Sequence, residues 1–142
     1  MHPGSCLCGS VKYTIDDALK FIVNCHCSFC SKAHGAPFTT LLFMPFAKFQ
    51  LLEGREFVAS YEVKTLGALR CFCCRCGTRL YNYSQARGMI SLIVATLDTD
   101  AELAPIANIN VESKRSWYAI NDGLPQFQSV PSQAEFGRLL SG

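Results

Sequence analysis

Alternating apolar and polar residues predict that most of this chain forms β-strands. Val11, Tyr13 and Ile15 alternate with polar neighbours, which is the period of a half-buried strand. The pair Asp16 and Asp17 suits a turn, so we expect this strand to form a hairpin with the short apolar run at residues 19–23. Five more strands are predicted, at residues 38–44, 57–63, 66–72, 78–83 and 89–97.

Helical patterns are confined to two segments. Residues 31–34 suit a single turn, and residues 132–140 begin at Ser132 and carry Glu135 three positions later, which is the capping-box pattern. With 142 residues the chain has the size of one ordinary domain. The sequence therefore predicts a mostly-β fold with little helix, in a single domain over residues 1–142 whose core covers residues 4–130.

Composition narrows the classes of function. Hydrophobic residues make up 49% of the chain and charged residues 17%, which is enough apolar material for one core. A net charge of +2, with Lys114 and Arg115 as the only basic cluster, argues against nucleic-acid binding, and we interpret this pair as solvated. No apolar run approaches the ~18 residues that a membrane-spanning helix needs, so no membrane association is expected.

The first residues show no basic segment followed by an apolar one, so we expect no export signal and a cytoplasmic location. In a reducing compartment, clustered cysteines are more often metal ligands or catalytic groups than disulfide partners. The nine cysteines form three groups: Cys6 and Cys8; Cys25, Cys27 and Cys30; and Cys71, Cys73, Cys74 and Cys76.

Two of these groups contain cysteine pairs that are followed by glycine. Gly9 follows Cys8 and Gly77 follows Cys76, and glycine allows the positive φ at which such a tight turn aims both sulfur atoms at one point. Zinc prefers four thiolates in a tetrahedron. We therefore predict a structural zinc site made by Cys6, Cys8, Cys73 and Cys76.

The middle group supplies only three thiolates, Cys25, Cys27 and Cys30. Three protein ligands with an open fourth position are typical of a catalytic zinc. Two closed alternatives stay open, in which the fourth ligand is either a histidine (His34 is in reach, whereas His26 is expected to point away) or one of Cys71 and Cys74. A further alternative is that this site is empty or oxidised in the isolated protein.

Five motifs, in order along nearly the whole chain, resemble the glutathione-dependent formaldehyde-activating enzyme family, which also contains centromere protein V. They are GSCLCGSVKY at residues 4–13, CHCSFC at 25–30 followed by Gly35 and Ala36, RCFCCRCGT at 70–78, ATLD at 95–98 and WYAINDGLP at 117–125. The resemblance implies a zinc-stitched β-tent fold, a structural zinc on Cys6, Cys8, Cys73 and Cys76, and a catalytic zinc on Cys25, Cys27 and Cys30. Ala95 stands where relatives usually have Gly, and Asn108 stands where a His is common, so this chain lacks that His.

Two functions from different classes follow. The first is a zinc-dependent carbon–sulfur lyase that forms or cleaves an S-hydroxymethyl or related adduct between glutathione, or a similar thiol, and formaldehyde or another small aldehyde. The second is a non-catalytic, zinc-scaffolded module that binds a protein or other partner. Candidate substrate-binding residues are Lys32, Arg70 and Arg75, which could pair with a carboxylate, and Trp117, which could line a cleft or pack in the core.

Overall fold

The computed structural model describes residues 1–99 and 103–141. Within them lie ten strands in two sheets: His2–Ser5 (β1), Lys12–Ile15 (β2), Ile22–Cys25 (β3), Thr39–Pro45 (β4), Phe49–Glu53 (β5), Val58–Val63 (β6), Ala68–Cys73 (β7), Arg79–Ser84 (β8), Met89–Ile93 (β9) and Ala107–Ile109 (β10). The α-helices are Ser28–His34 (α1) and Gln133–Ser141 (α2). The predicted mostly-β fold with little helix is confirmed.

One compact unit consists of Met1–Leu19 and Leu42–Glu102. In it, β2 is flanked by β1 and β5 in an antiparallel three-stranded sheet. Strands β6 to β9 follow one another as antiparallel neighbours in chain order. The core of this unit includes Tyr13, Ile15, Leu80 and Leu92, all fully buried.

The other compact unit consists of Lys20–Leu41 and Leu103–Gly142. Its β3 pairs in parallel with β10, so that Cys25 lies opposite Ile109. Helix α1 follows β3 after two residues, because Cys27 caps it: the Cys27 sulfur accepts from the Cys30 N–H. Ile22 and Val23 contribute to the buried core here.

The predicted hairpin between β2 and residues 19–23 is wrong. Strand β2 already has an antiparallel partner on each edge, so it has no free edge for a third strand. Leu19 adopts a positive φ of 56°, which interrupts extended backbone, and the next strand starts three residues later, at Ile22.

Three strands, β1, β5 and β10, are absent from the sequence-based prediction. Strand β1 contains Pro3 and Gly4, residues that strands usually disfavour, but Gly4 is needed because a Cβ there would overlap the ring of Tyr13. The last predicted strand is too long, since Val94–Thr96 forms a 3-10 turn.

The C-terminal helix is confirmed together with its cap. The Ser132 N–H donates to Glu135 Oε1 at 3.1 Å, and the Glu135 N–H donates to Ser132 Oγ at 3.2 Å, so both capping-box bonds form. Across the described residues, no helix combines the length and the apolar character needed to cross a membrane.

Candidate metal centres

The sulfur atoms of Cys6, Cys8, Cys73 and Cys76 all lie within 4.8 Å of one another. The Cys6 and Cys8 sulfurs are 3.6 Å apart, and those of Cys8 and Cys73 are 3.9 Å apart. A tetrahedron with zinc–sulfur bonds of about 2.3 Å has edges of about 3.8 Å. The spacing and the all-thiol donor set therefore fit a tetrahedral zinc ion.

Two similar turns build this cluster. The Gly9 N–H donates to the Cys6 carbonyl at 3.0 Å, and the Gly77 N–H donates to the Cys73 carbonyl at 2.7 Å. Gly9 and Gly77 have φ values of 78° and 79°, so both glycines adopt the positive φ that the sequence predicted. The Val11 N–H also donates to the Cys6 sulfur at 3.3 Å, which fixes the direction of that side chain.

Thr78 joins the two turns. Its hydroxyl accepts from the Leu7 N–H at 2.9 Å and lies 3.2 Å from the Cys76 sulfur. This hydroxyl lowers the pKa of the Cys76 thiol to about 5, whereas burial raises the pKa of the Cys73 thiol to about 11. A cation at the centre would stabilise all four sulfurs as thiolates.

The second cluster lies where β3 passes into α1. The sulfurs of Cys25, Cys27 and Cys30 are within 4.8 Å of one another, and Cys25 and Cys30 are buried. Two of these thiols resist ionisation beside their neighbours: Cys27 raises the pKa of Cys25, and Cys25 and Cys27 together raise that of Cys30. Three thiolates this close together repel one another unless a cation lies between them. This donor set therefore also fits zinc.

Hydrogen bonds already orient two of these sulfurs. The Cys30 N–H donates to the Cys27 sulfur at 3.3 Å, and the side-chain amide of Asn110 donates to the Cys25 sulfur at 3.3 Å. No sequence pattern points to Asn110, because its contact with Cys25 depends on the pairing of β3 with β10, two segments far apart in the chain.

Among the described residues, no histidine, carboxylate or fourth cysteine brings a ligand atom within the same distance of these three sulfurs. His34 ends α1 and is not part of the cluster. Cys71 is buried in β7, where burial raises the pKa of its thiol, and Cys74 is exposed. None of the three alternatives for a closing ligand is brought into the cluster.

His26 lies between two cluster cysteines, and its side chain is fully buried in a different direction, as expected. Its Nε2 lies 2.8 Å from Oδ1 of Asn108, and the Asn108 Nδ2 donates to both oxygens of Asp122 at 3.1 Å. Since an amide oxygen only accepts, Nε2 of His26 must carry the proton. Asn108 thus joins His26 to Asp122.

The candidate substrate residues lie in several places. Lys32 is exposed on α1, Arg70 is buried in β7, and the Arg75 guanidinium stacks over the Phe57 ring at 4.9 Å. Trp117 is 71% exposed, so the expectation that it packs in the core is wrong. The ring that packs against His26 and Phe38 belongs to the next residue, Tyr118.

The interpretation of Lys114 and Arg115 as a solvated pair is also wrong. Lys114 Nζ donates to the carbonyls of Arg115 and Tyr118, and Arg115 Nε donates to Ser31 Oγ at 2.9 Å. Ser31 is buried and directly follows Cys30. No carboxylate of the described residues forms an ion pair with Arg115. Sequence reasoning missed this cation, which is held by the residue that follows Cys30.

The fold and its two thiol clusters define a mostly-β protein that could hold two metal ions. The sequence pattern of the family described as glutathione-dependent formaldehyde-activating enzyme matches residues 1–113. The chain belongs to this family. It is also similar to a crystal structure of a Rhodobacter sphaeroides protein from structural genomics, with 18% identity and a TM-score of 0.60 over 88% of this chain and 98% of that one.

Proposed function

We propose that this chain is a zinc-dependent carbon–sulfur lyase. It forms or cleaves an S-hydroxymethyl adduct, or a related one, between glutathione or a similar thiol and formaldehyde or another small aldehyde. The observation that carries the proposal is the three-thiol cluster of Cys25, Cys27 and Cys30. Among the described residues, no fourth His, Cys, Asp or Glu ligand atom joins this cluster. Membership in the family supports the choice of thiol and aldehyde.

A zinc ion held by these three thiolates would supply the positive charge that ionises a substrate thiol and places it beside an aldehyde. In the forward direction, the substrate sulfur forms a bond to the aldehyde carbon, the carbonyl π bond breaks, and the thiol proton ends on the former carbonyl oxygen. In the reverse direction the carbon–sulfur bond breaks, and the thiol and the aldehyde are released. Holding both reactants together removes much of the entropic cost of a bimolecular step.

The chain's own groups define how a substrate would be held. Three cysteine thiolates leave a zinc site with a net negative charge, and glutathione brings carboxylates of its own. Arg115 is fixed by Ser31 next to Cys30 and has no carboxylate partner among the described residues, so we propose that it binds a substrate carboxylate. Lys32 on α1 is the second cation near this cluster in sequence.

The cluster of Cys6, Cys8, Cys73 and Cys76 has a different proposed role. A zinc ion with four thiolates has no open position and stabilises the fold. We propose that it stabilises one domain over residues 1–142, in a cytoplasmic environment that keeps the nine cysteines reduced.

The test is the exchange between formaldehyde and its glutathione adduct, followed by two-dimensional exchange NMR with ¹³C-formaldehyde. Wild-type protein loaded with zinc is expected to accelerate this exchange, and Cys30→Ser is expected to abolish the acceleration. Cys74→Ser is the matched control, because Cys74 is exposed and lies outside both clusters. Exchange no faster than in buffer, for glutathione and for other thiols alike, would refute the lyase.

A binding module is the alternative, and exposed aromatic residues favour it. Trp117 is 71% exposed and Phe29 on α1 is 40% exposed, and aromatic residues are enriched in protein interfaces. The two functions make different predictions: a non-catalytic module shows no exchange activity and keeps its partner in Cys30→Ser, whereas Trp117→Ala releases that partner.

A further inference from the structure

The chain turns sharply where β10 ends. Strand β10 stops at Ile109, and Asn110 adopts a φ of 55° in the left-handed region. Asparagine tolerates this conformation better than most residues other than glycine. The Asn110 N–H donates to the Ser129 carbonyl at 3.3 Å, so the turn is held in place from a distant part of the sequence.

The turn directs the Asn110 side chain to the middle cluster. Because β3 and β10 are parallel with Cys25 opposite Ile109, the residue after Ile109 lies beside the residue that ends β3. The Asn110 Nδ2 donates to the Cys25 sulfur at 3.3 Å. A hydrogen bond of this kind is stronger when its acceptor is ionised, so it favours the thiolate form, which binds metal.

A segment outside the part that matches the family pattern supports this turn. The Asn108 N–H donates to the Pro125 carbonyl at 2.8 Å, and the Val111 N–H donates to the Phe127 carbonyl at 3.1 Å. Together with the bond to Ser129, these fix the backbone on both sides of Asn110. The family pattern ends at residue 113, so the backbone that carries Asn110 is held by residues 125–129, which lie beyond that match.

We infer that Asn110 is a positioning residue of the middle metal site, and that its side-chain amide holds Cys25 as a ligand and lowers the electron density on its sulfur. The inference rests on the proposed function in one respect, that Cys25, Cys27 and Cys30 hold a metal. It assigns no chemical step to Asn110.

Two substitutions at Asn110 separate the effect of its side-chain hydrogen bond from the effect of its backbone conformation. Asn110→Gly keeps the positive φ and deletes the donor, so the turn survives without the hydrogen bond. Asn110→Asp keeps the shape but turns a carboxylate oxygen toward the sulfur, which repels a thiolate. Asn121→Gly is the matched control, since Asn121 is an exposed loop residue and the change in backbone freedom is the same.

The experiment measures the cobalt affinity and the absorption spectrum of the middle site in the whole 142-residue chain. The four-thiol cluster serves as a reference within the same molecule. Cobalt is bound at both sites, and the middle site is titrated with a competing chelator. Asn110→Gly is expected to weaken the middle site about tenfold and Asn110→Asp about 100-fold, the range typical of groups that orient metal ligands. The sulfur-to-cobalt charge-transfer band of the middle site shifts to lower energy, and the four-thiol site is unchanged.

The outcomes are distinct. Wild-type affinity and an unshifted band in Asn110→Gly would overturn the role of Asn110 and leave the lyase intact. Equal losses at both metal sites, or in Asn121→Gly, would mean that the substitution acts through the fold, which also overturns it. A wild-type protein whose middle cluster takes up no cobalt overturns both this inference and the proposed function.

Discussion

His26 donates through Nε2 to Oδ1 of Asn108 at 2.8 Å, and both side chains are almost completely buried. Asn108 can orient its oxygen toward His26 because its nitrogen is bonded to both oxygens of Asp122. One buried amide therefore bonds both to Nε2 of the His26 ring and to a carboxylate on a later loop. A histidine at position 108 would offer a different set of donors and acceptors.

Replacing Asn108 by leucine should destabilise the protein by about 1–3 kcal/mol, because the buried Nε2–H of His26 loses its acceptor. The free energy of unfolding in urea measures this. Asn121→Leu serves as the control, because Asn121 is exposed. An equal effect of both substitutions would show that the bond to His26 contributes nothing.

Asp122 should make stability depend on pH in the acid range. The Leu124 N–H, followed by the Asn108 amide, holds the pKa of its carboxyl below the ordinary value. Its contribution is therefore complete above an unfolded-state pKa of about 3.9 and is lost as the pH falls through the lower folded-state value. Between about pH 6 and pH 3, the difference in unfolding free energy between wild type and Asp122→Asn should shrink. A difference that stays constant over this range would contradict the assignment.

Gly4→Ala should destabilise the protein by about 1–3 kcal/mol, the cost typical of overpacking. The new Cβ would overlap the Tyr13 ring, which is buried, stacks on Phe49 and is hydrogen-bonded to Thr96. Gly137→Ala is the matched control, since a Cβ there meets no atom within 4 Å and lies in α2. Thermal unfolding should show a lower melting temperature for the first variant and an unchanged or higher one for the second. Equal melting temperatures would mean that Tyr13 can move aside.

Local patterns were enough to predict some of these features. The Cys-Gly turns, the capping box of Ser132 with Glu135 and the direction of His26 all depend on residues that are neighbours in sequence. Positive φ at Gly9 and Gly77 could be predicted because a turn of that kind requires it.

Other features could not be predicted, because they depend on pairing between distant segments. Strand β10 has three residues and no clear periodicity of its own, and it forms between β3 on one side and residues 125–127 on the other. The positions of Asn108, Asn110 and Arg115 beside the middle cluster follow from that pairing and from the backbone bonds of residues 125–129. A basic pair such as Lys114 and Arg115 looks like an ordinary surface feature until its partners are known.

Arg115→Met should raise the KM for glutathione about tenfold or more with little change in kcat, because a charged hydrogen bond to a carboxylate contributes about 1.5–3 kcal/mol. The KM for 2-mercaptoethanol, which has no carboxylate, should stay the same. Arg87→Met is the control, since Arg87 is exposed. An equal rise in KM for both thiols would mean that Arg115 acts through Ser31 and α1.

The most direct test of the account is the amount of zinc per chain in protein purified under reducing conditions, for wild type and for the variant with Cys25, Cys27 and Cys30 all replaced by serine. Wild type should hold about two zinc ions, and the variant should hold about one and remain folded, since each cluster fits one tetrahedral ion. In cobalt-substituted wild type, glutathione should change the spectrum of the middle site. A spectrum of the middle site that no added thiol changes would contradict an open three-thiolate site. A variant that still holds two ions would contradict it as well.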